Sequence, residues 1–321
     1  MPPQTPSRPL IVRLRNWVGD VTLGVPTLQR LADAGYELQL VGKGWARDLL
    51  AGHGWPVSVL PKPLTERVRL LRRLRAECEA RDPRFGRRIN AVCFPYSFSS
   101  ALDFRLAGLR ALGHAQEGRS LLLGRSVNRP AGLHELAVYW HLGSVLLEAE
   151  APLPAAIGLR VAAAHRERAL ALRQQHGIAP GYVVICPFAG GTWAGQDKTW
   201  PGFADFVAHD LAAFGRQVIV CPGPGEEDVA RTQFASATLL PGVDLGTYAA
   251  LLQDAALMIS NDTGPGHIAA AVGAPLLSVL GPSDPALWRA WGPSVQWVRR
   301  DGGWPDAPEV RHAVAVRLSP A

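Results

Sequence analysis

An alternation of short apolar runs and longer amphipathic stretches occurs twice along the chain and narrows the fold more than any other feature. Residues 9–14, 38–41, 57–60 and 89–94 read as strands, with helices over 21–34, 45–52, 64–79, 99–111 and 132–147. The pattern starts again with a helix over 161–175. Strands follow over 182–187, 217–221, 238–240, 257–260 and 276–280, with helices over 201–214, 226–234, 245–253 and from 268 onward. Successive strands separated by helices pair in parallel, because each crossover must return over a face of the sheet. The expectation is α/β: two doubly wound units, and 321 residues suffice for both. Pro152 and Pro154 mark the join. That divides the chain into an N-terminal unit over 1–150, a linker over 151–160 and a C-terminal unit over 161–321.

Hydrophobic residues form 48% of the chain, enough for two cores. The apolar runs are cut by Gly, Pro or Arg, so no membrane-spanning helix is expected. Residues 1–9 have no apolar core of a signal peptide. Cys78, Cys93, Cys186 and Cys221 form no C-x-x-C, which points to free thiols in a reducing compartment rather than a metal centre. Charge is uneven: residues 1–150 hold 21 Lys and Arg against 13 Asp and Glu, and residues 151–321 hold 12 against 14. The basic first half suggests an anionic partner there.

The segment from Leu257 to His267 carries the sharpest functional signal. A buried strand runs into Asn261-Asp262-Thr263-Gly264-Pro265-Gly266-His267, and a helix follows. Asp262 or Thr263 can cap that helix, and Pro265 in its first turn loses no needed N–H. Free N–H groups at such a start favour an anion, and Gly264 and Gly266 let a ligand approach the backbone. The same residues also suit an ordinary strand–turn–helix corner. Gly264 to Ala269 formally matches G-x-G-x-x-A, the dinucleotide fingerprint, but Asp284 sits poorly as the acidic ribose partner that fold wants.

Four further constellations stand out. Asp20 follows the first strand at a helix start, where it can be an N-cap or a general base. Strand 182–187 leads through Gly190-Gly191-Thr192 to Lys198, one of only three lysines. A cation beside Gly-rich backbone suits a diphosphate, although the spacing is not that of a P-loop. Glu226 and Glu227 follow strand 217–221, where a carboxylate can hold ribose hydroxyls or favour the helix dipole. Arg67, Arg69, Arg72 and Arg73 spread around a helix whose buried face is Leu64, Val68, Leu71, Leu74 and Cys78. They read as a solvated face or as a clamp for an acidic acceptor or membrane surface. Nucleic acid is not expected, because no aromatics interleave.

Asn16-Trp17-Val18-Gly19-Asp20, Ser97-Phe98-Ser99-Ser100-Ala101-Leu102, Asp197-Lys198-Thr199-Trp200-Pro201, the Asn261–His267 element and Leu280-Gly281-Pro282-Ser283-Asp284-Pro285 together carry a resemblance. In order and spacing they resemble the ADP-heptose:lipopolysaccharide heptosyltransferases of glycosyltransferase family 9, over roughly residues 10–293. The first two pieces look most like the heptosyltransferase II branch. The resemblance implies a GT-B fold, two Rossmann-like domains facing across a cleft. It implies inverting, metal-independent transfer of heptose from ADP-heptose to the lipopolysaccharide inner core, without a cofactor. Asp20 would be the base and Lys198 would hold the diphosphate and sugar. Asp262, Thr263, Gly264, Gly266 and His267 would form the donor element, with Thr192 in the phosphate loop and Glu226 or Glu227 on the ribose. Arg67, Arg69, Arg72 and Arg73 would face the acidic Kdo or phosphate of the acceptor. A cytoplasmic enzyme with peripheral contact at the inner membrane is implied. The alternatives left open are another nucleotide-sugar donor, a nicotinamide-dependent oxidoreductase and a non-catalytic nucleotide-sugar-binding protein.

Overall fold

The computed structural model describes residues 8–190, 192–193, 195–281 and 284–318. It divides into two compact units: Met1–Arg47 with Gly54–Pro154, and Asp48–His53 with Ala155–Ala321.

The first unit contains β1 (Arg8–Arg13), α1 (Val18–Asp33) and β2 (Tyr36–Gly42). A short helix, α2 (Ala46–Leu50), straddles the boundary. Then come β3 (Val57–Val59), α3 (Leu64–Arg81), β4 (Ala91–Cys93), α4 (Phe98–Leu106), β5 (Ala111–His114), β6 (Arg125–Val127) and α5 (Glu135–Leu147). All six strands are parallel, in the order β3-β2-β1-β4-β5-β6. Leu10, Ile11 and Val12 of β1 are fully buried, as a strand covered on both faces requires. Val68, Leu71, Leu74 and Cys78 turn α3 inward as its periodicity predicts, while Leu64 stays 40% exposed at the first turn.

The second unit contains α6 (Ala163–Gln175), β7 (Val183–Cys186), the hairpin strands β8 (Thr192–Trp193) and β9 (Gln196–Asp197), α7 (Phe203–Asp205), β10 (Val218–Val220) and α8 (Glu227–Gln233). It continues through β11 (Thr238–Leu239), α9 (Leu245–Gln253), β12 (Leu257–Asn261), α10 (Gly264–Ala271), β13 (Leu276–Val279), α11 (Pro285–Trp288), β14 (Val295–Val298) and α12 (Ala307–Leu318). Its parallel sheet runs β11-β10-β7-β12-β13-β14. Trp200, Phe203, Phe206 and Phe234 pack edge-on or tilted on one face of that sheet, with Val310 and Val314 of α12.

Both sheets therefore have the doubly wound order, in which the first and fourth strands of each sheet lie side by side. Crossovers leave these two strands in opposite directions, and the gap at their C-terminal ends is where ligands of such sheets bind. In the first unit that gap lies between β1 and β4, and in the second between β7 and β12.

The structure departs from the sequence reading in several elements. The helix expected over 99–111 ends at Leu106, because Gly108 turns the chain at φ +75° and β5 begins at Ala111. The helix expected over 201–214 is composite: a turn of α-helix gives way to π geometry over Phe206–Asp210 and 3₁₀ geometry over Leu211–Phe214. Strands β5, β6, β8, β9 and β14 and helices α11 and α12 were not read from the sequence. Among the described residues, no helix is long and apolar enough to cross a membrane.

His114 gives the first unit a pH dependence. It is fully buried at the end of β5 and stacks on His141 of α5 at 5.6 Å, with Nε2 3.3 Å from His141 Nδ1. Burial first, and then the charges of His141, Arg119 and Arg129, push its pKa down to about 3. The folded protein thus holds His114 neutral, whereas the unfolded chain protonates it below about 6.5. Stability that is complete above pH 6.5 is lost as the pH falls toward about 3. Denaturant unfolding of His114→Phe at pH 7 and pH 5 should show a drop smaller than wild type by roughly 2 kcal/mol. An equal drop in both proteins would assign the dependence to another group.

Candidate active site

The first half-site forms where β1 meets α1. Arg13 ends the strand, four residues turn, and α1 starts at Val18 with Trp17 as its N-cap, an indole left 66% exposed. Trp17 makes no side-chain capping bond, and Asp20 lies at the third position of the helix, within its first turn, rather than at the cap. Its carboxylate is therefore not spent on the helix start in the way an N-cap would be. Tyr139 Oη of α5 instead donates to Asp20 Oδ1 at 2.7 Å, and Arg15 Nε lies 3.4 Å from the same oxygen. The Asp20 side chain is only 10% exposed. Burial pushes its pKa above the usual carboxylate range. Arg15 and the Tyr139 hydrogen bond oppose that rise, and the charge of Glu135 adds to it.

Around this pair lies a polar shell that sequence reasoning missed. Glu135, nearly fully buried at the start of α5, accepts from Tyr96 Oη and pairs with Arg129 at 2.6 Å. The guanidinium carbons of Arg15 and Arg129 lie over the Tyr96 ring, 4.4 and 5.2 Å from its centroid. These residues come from the loop after β1, the loop after β4 and the start of α5, three segments far apart in sequence. No local spacing could have grouped them. The result is a carboxylate of elevated basicity among bonded neighbours, suited to taking a proton.

The second half-site is built on β7, β12 and the loops after them. Asn261, fully buried at the end of β12, accepts from the Trp200 N–H at 3.0 Å and donates to the Pro187 carbonyl at 2.6 Å. One amide thus ties the loop after β7 to the segment carrying Lys198. The hairpin of β8 and β9 delivers Asp197, whose carboxylate accepts from the Thr199 N–H at 2.9 Å. Lys198 lies between them, its Nζ 3.6 Å from Asp262 Oδ2. Gly191 lies outside the described residues, as do Pro282 and Ser283, so that part of the Gly-rich loop and of the Gly281–Asp284 element has no description. Thr192 belongs to β8.

Thr263 occupies the N-cap of α10, yet its side chain makes no capping bond, and Pro265 sits in the first turn. The first-turn N–H groups of α10 receive no side-chain cap from Thr263, the arrangement that favours an anion. Gly264 opens the helix. A Cβ on Gly266 would come 2.7 Å from Ser260 Oγ, so this glycine seats the helix against β12 as well as keeping its surface small. His267 is 8% exposed in the same turn.

Glu226 and Glu227 differ in surroundings. Glu226 accepts from the Gly223 N–H at 2.7 Å, and its charge reaches Cys186 at the end of β7, where burial chiefly holds the thiol up at about 12. Glu227 accepts from the Gly225 N–H at 2.8 Å on the more open side of the loop.

The arginines of α3 also separate. Arg67 turns inward to Asp103 of α4, at 2.8 and 3.1 Å, and shares that fully buried carboxylate with Arg13. Arg69, Arg72 and Arg73 are exposed. Arg72 donates to the Leu106 carbonyl at 3.0 Å, and Arg73 lies 3.7 Å from Glu77. In the second unit, Asp48, His165 and Asp244 bring possible metal-ligand atoms within 4.8 Å of one another. There Arg168 bonds His165 Nδ1 and lies 3.6 Å from Asp244, so a guanidinium already supplies the cation.

The placement of α10 bears on the nicotinamide alternative. The dinucleotide fingerprint belongs after the first strand of a doubly wound unit. Here Gly264 and Gly266 follow β12, the fourth strand of its sheet, and Asp284 caps α11 through the Ala286 N–H at 2.9 Å.

Comparison with known proteins bears on the family and the fold. The model of glycosyltransferase family 9 (heptosyltransferase) matches residues 89–313. Lipopolysaccharide heptosyltransferase 3 of Escherichia coli is 37% identical over 125 residues, 36% of this chain and 35% of that protein. Lipopolysaccharide heptosyltransferase 1 of Pseudomonas aeruginosa is 30% identical over 148 residues, 44% of this chain and 39% of the relative. The matched stretch thus spans little more than a third of these curated relatives. The structure of E. coli ADP-heptose LPS heptosyltransferase II superposes with a TM-score of 0.79 at 21% identity, covering 96% of this chain and 98% of that one. A family 9 glycosyltransferase from Veillonella parvula also gives 0.79, at 17% identity and 97% coverage of both. The fold is that of the GT-B glycosyltransferases.

The Asn261 junction has a measurable consequence. Asn261→Ala strands a buried N–H at Trp200 and a carbonyl at Pro187, at a cost of roughly 1–3 kcal/mol. Denaturant unfolding should show a loss of that order. Wild-type stability would mean that the two loops are held by other contacts.

Proposed function

Because the chain belongs to glycosyltransferase family 9, we propose that it transfers a heptose from ADP-heptose to the inner core of lipopolysaccharide. The observation that carries this reading beyond the family is Asp20. It is a nearly buried carboxylate of raised pKa at the strand-order reversal of the first sheet, free of the capping role its position in the sequence allowed. In the proposed reaction the acceptor hydroxyl gives its proton to Asp20. Its oxygen forms the new bond at the anomeric carbon as the bond to ADP breaks, and ADP leaves with the electron pair. A single displacement of this kind inverts the anomeric centre.

In the second unit, Lys198 and the start of α10 at Thr263, Gly264 and Gly266 would hold the donor diphosphate and stabilise the charge that grows on ADP without a metal. Thr192 would join that loop. Asp262 orients Lys198, and His267 lies in the same turn. Glu226 is the better candidate for the ribose, because the bond that holds its carboxylate to the Gly223 N–H is part-buried in the loop after β10, whereas that of Glu227 is exposed. Arg69, Arg72 and Arg73 present exposed positive charge to an acidic acceptor, and peripheral contact with an anionic membrane follows from the same surface. Arg67 supports that surface through Asp103.

Three measurements test these roles. Calorimetric titration with ADP, ADP-heptose, UDP-glucose and NAD in the presence of EDTA should show binding of the two adenosine diphosphate ligands alone. Asp20→Asn should then retain donor affinity and lose ~10²–10⁴-fold in kcat. NAD or UDP-glucose binding would overturn the donor assignment, and normal turnover of Asp20→Asn would remove it as the base. For the acceptor, reversing charge at Arg72 and Arg73 should raise the acceptor KM while the donor KM holds. Equal constants in variant and wild type would make this face merely solvated.

A further inference from the structure

We infer that Tyr139 is the positioning residue of Asp20: a buried phenol on α5 that fixes one carboxylate oxygen and so turns the other to the hydroxyl it deprotonates. The inference rests on the reading of Asp20 as the base. Tyr139 is fully buried, and its ring packs on Phe94 with centroids 5.1 Å apart and planes tilted by 32°. A phenol seated in this way has little freedom to swing, so the 2.7 Å bond to Asp20 Oδ1 is set by the core rather than by solvent. Arg15 approaches the same Oδ1. The Tyr139 hydrogen bond and the Arg15 charge both fall on one oxygen, which leaves Oδ2 to receive the substrate proton.

The charged and titratable groups that act on Asp20 are Arg15, on the loop after β1, and Tyr139 and Glu135, on α5. Tyr96, on the loop after β4, and Arg129, before α5, bond Glu135 in turn. Burial and the Glu135 charge favour the protonated acid, while Arg15 and Tyr139 favour the carboxylate. Tyr139 therefore acts twice. It orients the base, and it keeps the base ionised at a pH where burial alone would protonate it.

Tyr139→Phe keeps the ring on Phe94 and removes a single O–H. Its kcat should fall roughly ten-fold through misplacement of the base, with the donor KM changed by less than about two-fold. The acid limb of its kcat profile should move to higher pH, since a carboxylate that loses a donor holds its proton longer. Replacing Tyr139 by 3-fluorotyrosine, a stronger donor of nearly the same shape, should move that limb the other way. A merely structural tyrosine would produce neither shift. If Asp20→Asn is inactive while both Tyr139 variants keep the wild-type kcat and acid limb, the inference is wrong and the base assignment stands. If Asp20→Asn turns over normally, the base assignment itself fails and this inference with it.

Discussion

Two parallel sheets in which the first and fourth strands lie side by side decide where chemistry can sit in this protein. Crossovers leave those strands in opposite directions, so no helix closes over the gap at their C-terminal ends. The loop after β1 carries Arg15 and leads to Asp20 in the first turn of α1, while the loops after β7 and β12 carry Lys198 and Asp262 to Gly266. The backbone at these points has buried apolar strands below it, so the polar side chains stand on rigid supports. Asn261 shows how tightly this is done: one buried amide binds two loops that would otherwise be independent.

The two half-sites are built with opposite electrostatic logic. In the first unit burial raises the pKa of a carboxylate against the charge of Arg15 and the hydrogen bond of Tyr139, with Glu135 behind them held by Tyr96 and Arg129. In the second a lysine and the uncapped first turn of α10 offer positive charge and N–H donors. The base and the anion cradle proposed for these residues are the two requirements of a displacement that expels a nucleoside diphosphate.

The sequence showed the architecture wherever a strand is a continuous apolar run and a helix has a clear buried stripe, as at 9–14, 257–260 and α3. It failed where elements are short or irregular. Gly108 ends α4 early, β5 and β6 are only four and three residues long, and the helix after Trp200 changes geometry twice. The motif residues were legible because glycine, proline and acidic residues cluster where strand meets helix. Their supports were not. Tyr139 and Glu135 lie in Glu135-Leu136-Ala137-Val138-Tyr139-Trp140, a stretch that reads as core, and Tyr139 reaches Asp20 across 119 residues. Asp20 itself was open between cap and base; Trp17 at the N-cap removes the capping reading, and the base remains a proposal. Arg67 looked like its exposed neighbours until Asp103 placed it inside.

The central claim is sugar transfer from ADP-heptose, and turnover tests it most directly. The purified protein would be incubated with ADP-heptose, EDTA and a lipopolysaccharide acceptor lacking its heptose, with acceptor mass and released ADP followed together. One heptose added per ADP released is the expected result. Release of ADP without a change in acceptor mass, or an unchanged acceptor with intact donor, would contradict the account.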